Sequence, residues 1–160
     1  MALITGPSPR SVLALDVGRR RIGLAGCDPL GLTVTALPPL ARGKFAVDLP
    51  QLAALVQQRR CLALVVGLPL DQAQQTTPQA QHCQRYGLQL ARSLGLPLAW
   101  VNEHSSSWYA AEKHGLHGDR SGQLDSAVAA LLLEQWLREG DEPVMVAAIK
   151  ADRLPSAEGS

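Results

Sequence analysis

Aromatic residues are scarce in this 160-residue sequence: one Phe, two Tyr and three Trp make up 4% of it. A surface that reads bases by stacking needs rows of Phe or Tyr, so that kind of recognition module is excluded. Charge of one sign is not in excess either, with 15 Lys+Arg against 14 Asp+Glu and a formal net charge of +1. This balance rules out a histone-like tail and an acidic buffer, while leaving room for a local basic patch. No apolar run approaches the roughly 18 residues of a membrane span; the longest, such as Cys61 to Val66, have strand length. Paired cysteines are missing as well. Cys27, Cys61 and Cys83 are odd in number, widely spaced and set in apolar surroundings, so they read as small core residues rather than a zinc site or disulfide frame. The N-terminus has no basic head followed by an apolar block, and a cytoplasmic protein without membrane contact is expected.

What is present suits one α/β domain of ordinary size, since domains cluster at about 100–150 residues. The length excludes a two-domain kinase or a large synthetase, and 46% hydrophobic residues suffice for a core. Residues 1–10 read as a leader, 11–140 as the folded domain, and 141–160 as an extension with an edge strand over Val144 to Ile149 before a frayed tail. Strands are expected at Ser11 to Val17 and Ile22 to Cys27, joined by the basic turn Gly18 to Arg21. A third is expected at Thr33 to Leu37, closed by Pro38-Pro39. Helical spacing runs from Phe45 to Gln58, with Pro50 suggesting a start near Leu49, and Arg59-Arg60 sits at the C-terminal end. Cys61 to Val66 is apolar on both faces, the pattern of a central parallel strand. Pro78 opens a helix through Leu94 that Gly95 stops, and Leu98 to Val101 is another buried strand. A short helix from the serines at 105–107 to Lys113 and a long one from Gln123 to Arg138 complete the chain. Three short strands followed by α/β alternation predict a mixed sheet, an antiparallel meander beside parallel strands.

Three carboxylates stand at the ends of these elements. Asp16 ends a very apolar strand, on the same face as Val12 and Ala14, a poor place for an unpartnered charge. Glu103 follows the apolar run Leu98 to Val101, and carboxyl ends of parallel strands are where open α/β sheets place their sites. Asp125 begins the last helix and shares a stripe with Ala129, Leu132 and Trp136. Each has an ordinary explanation on its own: a strand-end Asp bonded to turn amides, or an acid at a positive helix end. Gathered at one edge, the three would repel unless cations neutralised them, and oxygen-only ligation selects Mg²⁺ or Mn²⁺.

The stretches Leu15-Asp-Val-Gly-Arg-Arg-Arg-Ile-Gly-Leu-Ala25, Val65-Val-Gly-Leu-Pro-Leu70, Val101-Asn-Glu-His-Ser-Ser-Ser107 and Leu124-Asp-Ser-Ala-Val-Ala-Ala130 closely resemble the four motifs of the YqgF (RuvX) family. Its members are described as Holliday-junction-resolvase-like and as candidate nucleases for pre-16S ribosomal RNA. The resemblance runs over roughly residues 11–138, in order. It implies an RNase H-like fold, a five-stranded mixed sheet flanked by helices. It further implies a divalent-metal phosphodiesterase working on structured nucleic acid, with Mg²⁺ or Mn²⁺ held by Asp16, Glu103 and Asp125. Two departures stand out. The third motif usually opens with two acids, then Arg and Thr, where this chain has Asn102-Glu103-His104 with Ser106-Ser107; and the loop from Asp71 to Thr77 lacks the usual glycine. Gly67, where RNase H-like enzymes usually place a carboxylate, would leave room for Glu103 to reach across from the next strand.

Arg19, Arg20 and Arg21 lie just beyond Asp16 and suit phosphate clamping by one or two of them; Lys113, His114, His117 and Arg120 make a second positive run before Asp125, of which Lys113 and Arg120, with His104, are candidates for nucleic-acid contact. The partner expected is an rRNA precursor or branched DNA, and symmetric junction cleavage would call for a homodimer. Two other readings compete. Asp16-Val-Gly18 with Gly23 also looks like the phosphate loop of actin-like ATPases, but that architecture needs two such domains and this chain has room for one. The other is a catalytically degenerate RNase H-fold protein that binds RNA or a ribosome-assembly partner.

Overall fold

The computed structural model describes residues 11–70, 75–102 and 123–146. In chain order these form β1 (Val12–Val17), β2 (Arg21–Cys27), β3 (Val34–Ala41), α1 (Phe45–Arg59), β4 (Ala63–Leu68), α2 (Pro78–Leu94), β5 (Leu98–Asn102) and α3 (Gln123–Glu139). The five strands make one sheet in the order β3-β2-β1-β4-β5. β1 pairs antiparallel with β2, and β2 with β3, whereas β1–β4 and β4–β5 are parallel. This is the mixed sheet the strand pattern predicted.

Strand alternation sorts the core into two layers. Leu13, Leu15, Val17, Leu64, Val66 and Leu68 face one side, covered by Leu52 of α1 and by Cys83, Tyr86 and Leu90 of α2. Val12, Ala14, Ala63, Val65, Ala99 and Val101 face the other, covered by Val128, Ala129, Leu132, Leu133 and Trp136 of α3. With both faces roofed, the central strands are apolar throughout rather than alternating. The three cysteines are buried within these layers.

Three elements differ by more than one residue from the sequence reading, two of them because of proline. The third, β4, runs Ala63–Leu68 where the apolar run predicts Cys61 to Val66. β3 is not closed by Pro38-Pro39 but runs through them to Ala41. It is an edge strand, where a missing N–H costs no ladder bond, and its register against β2 slips by one residue between the Ile22–Leu40 and Leu24–Leu37 pairs. α1 begins at Phe45, not near Leu49, so Pro50 lies inside it. Pro50 and Ala46, one turn back, are both exposed, so water can take the carbonyl that proline leaves unpaired. Lys44 makes no side-chain cap; instead the buried Asp48 carboxylate accepts the Gly43 N–H at 2.9 Å.

The other helix ends follow expectation. Thr77 Oγ1 accepts the Ala80 N–H at 3.0 Å to open α2, and Gly95 closes it in the left-handed region at φ +69°. Arg60 closes α1 in the same conformation at φ +55°. In place of an edge strand over 144–149, the described residues show a single antiparallel bridge between Val144 and Leu98; 147–149 lie outside the described residues. The leader 1–10, the short helix over 105–113 and the tail also lie outside them.

Candidate active site

Asp16 is the one half-exposed position of β1, whose other residues are all buried. Its cross-strand partner is Gly23 of β2. A Cβ on Gly23 would overlap the backbone carbonyl of Asp125 and come within 2.7 Å of the Ser126 nitrogen. The first turn of α3 therefore rests directly on the glycine opposite Asp16. Facing residues of paired strands have Cβ positions about 4.5–5.5 Å apart, so Asp16 emerges beside that turn. Glycine is required here by close approach rather than by an unusual dihedral.

Two polar ties hold the same contact. Arg21 Nε donates to Asp125 Oδ2 at 3.0 Å, with side chains 33% and 28% exposed. The Leu24 N–H donates to the buried Ser126 Oγ at 3.2 Å. Asp125 lies at the margin of the α3 stripe, half-exposed, while Ala129, Leu132 and Trp136 beneath it are buried. It also sits in the first turn of α3, at the positive end of the helix dipole. On the other face, the Val17 carbonyl accepts from Cys83 Sγ and Gln79 Nε2, both at 3.3 Å, which pins β1 one residue beyond Asp16.

The structure thus brings Asp16 and Asp125 together at the carboxyl edge of β1. Glu103, the third acid, lies outside the described residues, as do His104, Lys113 and Arg120. Asn102, one residue before Glu103, ends β5 opposite Leu68, and Gly67 pairs with Val101. Among the described residues no three His, Cys, Asp or Glu gather as a metal site. The two aspartates offer hard oxygen donors, a set that fits Mg²⁺ or Mn²⁺ and not a soft transition metal. Of the three arginines, Arg19 and Arg20 are exposed on the turn between β1 and β2, whereas Arg21 is engaged with Asp125.

Sequence reasoning missed a second polar cluster, on the α2 side of this edge. Arg42 Nη1 donates to the Gly18 carbonyl at 3.0 Å and to His82 Nε2 at 2.6 Å, and its guanidinium lies 4.7 Å from the Tyr86 ring centroid. A guanidinium can only donate, so the His82 proton is assigned to Nδ1. Burial lowers the His82 pKa, and the cations Arg42, Arg85 and Arg19 lower it further. The Tyr86 hydroxyl donates to Asp48 Oδ2 at 3.1 Å. Burial, then the Asp48 charge and this hydrogen bond, push the phenol pKa well above its ordinary value. One signal was available: Asp48 interrupts the apolar stripe of α1, and such an acid must find donors. Arg42 and His82 carry no local pattern.

A family model described as RuvX, Holliday junction resolvase, matches residues 10–139. A protein of Parasynechococcus marenigrum (strain WH8102) named "Putative pre-16S rRNA nuclease" is 69% identical over 136 residues, covering 85% of this chain and 87% of that one. One of Prochlorococcus marinus (strain MIT 9313) with the same name is 63% identical over 158 residues, covering 98% of each chain. Among solved structures, Thermus thermophilus RuvC in complex with a Holliday junction substrate aligns with a TM-score of 0.53 at 14% identity. That alignment covers 84% of this chain and 99% of RuvC, and it identifies the sheet and its helices as an RNase H-like fold. The chain therefore belongs to the RuvX family of Holliday-junction-resolvase-type nucleases.

Proposed function

We propose that this chain is a divalent-metal-dependent phosphodiesterase that trims the 5′ end of pre-16S rRNA, with branched DNA as its other class of substrate. The observation that carries this reading is the meeting of Asp16 and Asp125 across Gly23 at the carboxyl edge of the sheet. Asp16, Asp125 and Glu103 are the residues that would hold Mg²⁺ or Mn²⁺. When bound, the cation neutralises the gathered carboxylates and polarises a phosphodiester oxygen toward attack by water. Arg21 fixes the rotamer of Asp125, while Arg19 and Arg20 face solvent on the turn that follows Asp16, where they meet backbone phosphates. Lys113 and Arg120 add positive charge from the segment before α3, and His104 is a further nucleic-acid contact there. A cytoplasmic site of action fits an rRNA substrate, and junction cleavage would use a two-fold pair of chains.

The test is cleavage of a pre-16S precursor and of a four-way DNA junction in Mn²⁺, with Asp16→Asn beside the wild type. Cutting that needs both metal and Asp16 supports the proposal. Cutting that survives the substitution points to a contaminating nuclease and removes the support. The second reading, a degenerate nuclease fold that docks on RNA, draws on Asn102 and His104 standing where the family carries an acid and an arginine. Tight binding without cleavage of any structured substrate would favour it.

A further inference from the structure

We propose that the cleft lined by Arg19, Arg42, Gly43, Pro78, Gln79 and His82 is a second phosphate subsite. It takes a backbone phosphodiester of the same nucleic-acid strand, away from the one at Asp16 and Asp125. The cleft encloses about 510 Å³. This subsite rests on the nuclease reading above, because it supplies that strand with an anchor.

Position comes first. The cleft opens where Pro78 begins α2, and its arginines are joined to the turn that follows Asp16. The Arg42 N–H donates to the Arg20 carbonyl at 2.9 Å, and Arg42 Nη1 to the Gly18 carbonyl at 3.0 Å. Asp16 lies on the α3 face and the cleft on the α2 face of one sheet edge, so a strand crossing that edge passes both.

Charge comes second. Among the described residues, the lining carries two arginines and a histidine and no carboxylate. Asp48, beside Arg42, is fully buried and already accepts from Gly43 and Tyr86. Its Oδ2 is 3.9 Å from Arg42 Nε, too long for a hydrogen bond. Arg19 reaches Gln79 Oε1 only weakly, at 3.4 Å, and is otherwise exposed. Stacking on Tyr86 and bonding to Gly18 hold the Arg42 guanidinium in place before any ligand arrives, so little rotamer entropy is lost on binding.

The test uses the full chain carrying Asp16→Asn, which blocks cutting, and a fluorescein-labelled RNA stem-loop from the pre-16S 5′ end. Adding Arg19→Gln or Arg42→Gln should weaken binding about five- to tenfold at low salt and make the log–log salt slope shallower by about 1. The His82 ring resonances should move as RNA is titrated, and a junction DNA should move them likewise. Inorganic phosphate at equal phosphate concentration should leave them nearly in place. Unchanged affinity and slope in both variants, with a parent that binds, overturn the subsite and leave the nuclease reading standing. Equal shifts with inorganic phosphate also overturn it, in favour of a free-anion site. A wild type that neither binds nor cuts removes the nuclease reading and the subsite together. Should Arg42→Gln fail to fold, the His82 resonances carry the test, because Arg19 also serves the turn beside Asp16: no movement of them as RNA binds overturns the subsite.

Discussion

Arg21 and Asp125, 104 residues apart in sequence, are joined by a hydrogen bond of 3.0 Å from Nε to Oδ2. The pair ties the start of β2 to the first turn of α3 and sets where one acid of the proposed site points. A half-exposed ion pair of this kind contributes only about 0.2–1 kcal/mol to stability. Its larger effect is electrostatic, since the guanidinium competes with any divalent cation for the same carboxylate.

Arg21→Met should therefore leave the unfolding midpoint almost unchanged while lowering the Mn²⁺ concentration that gives half-maximal cleavage. Metal titrations of wild type and variant decide it, and a higher requirement in the variant would mean that Arg21 assists metal capture instead.

Asp125→Asn should keep the Arg21 contact through its side-chain oxygen and fold normally. Cleavage should fall by more than the roughly 10–100-fold that loss of a metal site's outer partner costs. Circular dichroism and a cleavage time course together read this, and full activity in a folded variant would remove Asp125 from the site.

Gly23→Ala places a methyl group on the Asp125 carbonyl, and the helix must shift. Overpacking of this kind costs about 1–3 kcal/mol, read by urea unfolding. Activity should drop with it, because the first turn of α3 moves away from Asp16.

Acid should destabilise the protein through His82. Its folded pKa lies below the ordinary 6.5, so between those values the unfolded chain binds the extra proton and stability falls as pH drops. Unfolding midpoints measured from pH 7.5 to 5 should decline, and His82→Gln should flatten the part of the slope nearest 6.5. An equal slope in the variant would assign the loss to other groups.

Much of this was legible in the sequence wherever a local pattern was backed by packing. α2 was legible at both ends, because Pro78 opens it and Gly95 closes it, and each signal acts on its own backbone. Asp125 at the margin of an apolar stripe was legible from helical period alone. β3 and the start of α1 were not, because proline is read locally as a stop while its cost depends on whether the N–H it lacks had a partner to lose. At Pro38 and Pro39 an edge strand leaves none, and at Pro50 the carbonyl left unpaired lies on an exposed helix face where water replaces the bond. The Arg21–Asp125 pair and the Arg42–His82–Tyr86–Asp48 cluster were hidden for another reason. Both join elements far apart in the chain, and only the register at Gly23 and the packing of α1 against α2 bring them together.

The prolines of β3 also bear on how two copies of the chain could meet. Pro38 and Pro39 offer no N–H to an incoming strand, and the slipped register bends that border of the sheet. At the opposite border, Leu98 already exchanges both backbone bonds with Val144, at 2.9 Å each. Among the described residues, neither flank is open along its whole length to edge-to-edge extension, which favours helices or loops as the contact surfaces of any symmetric pair.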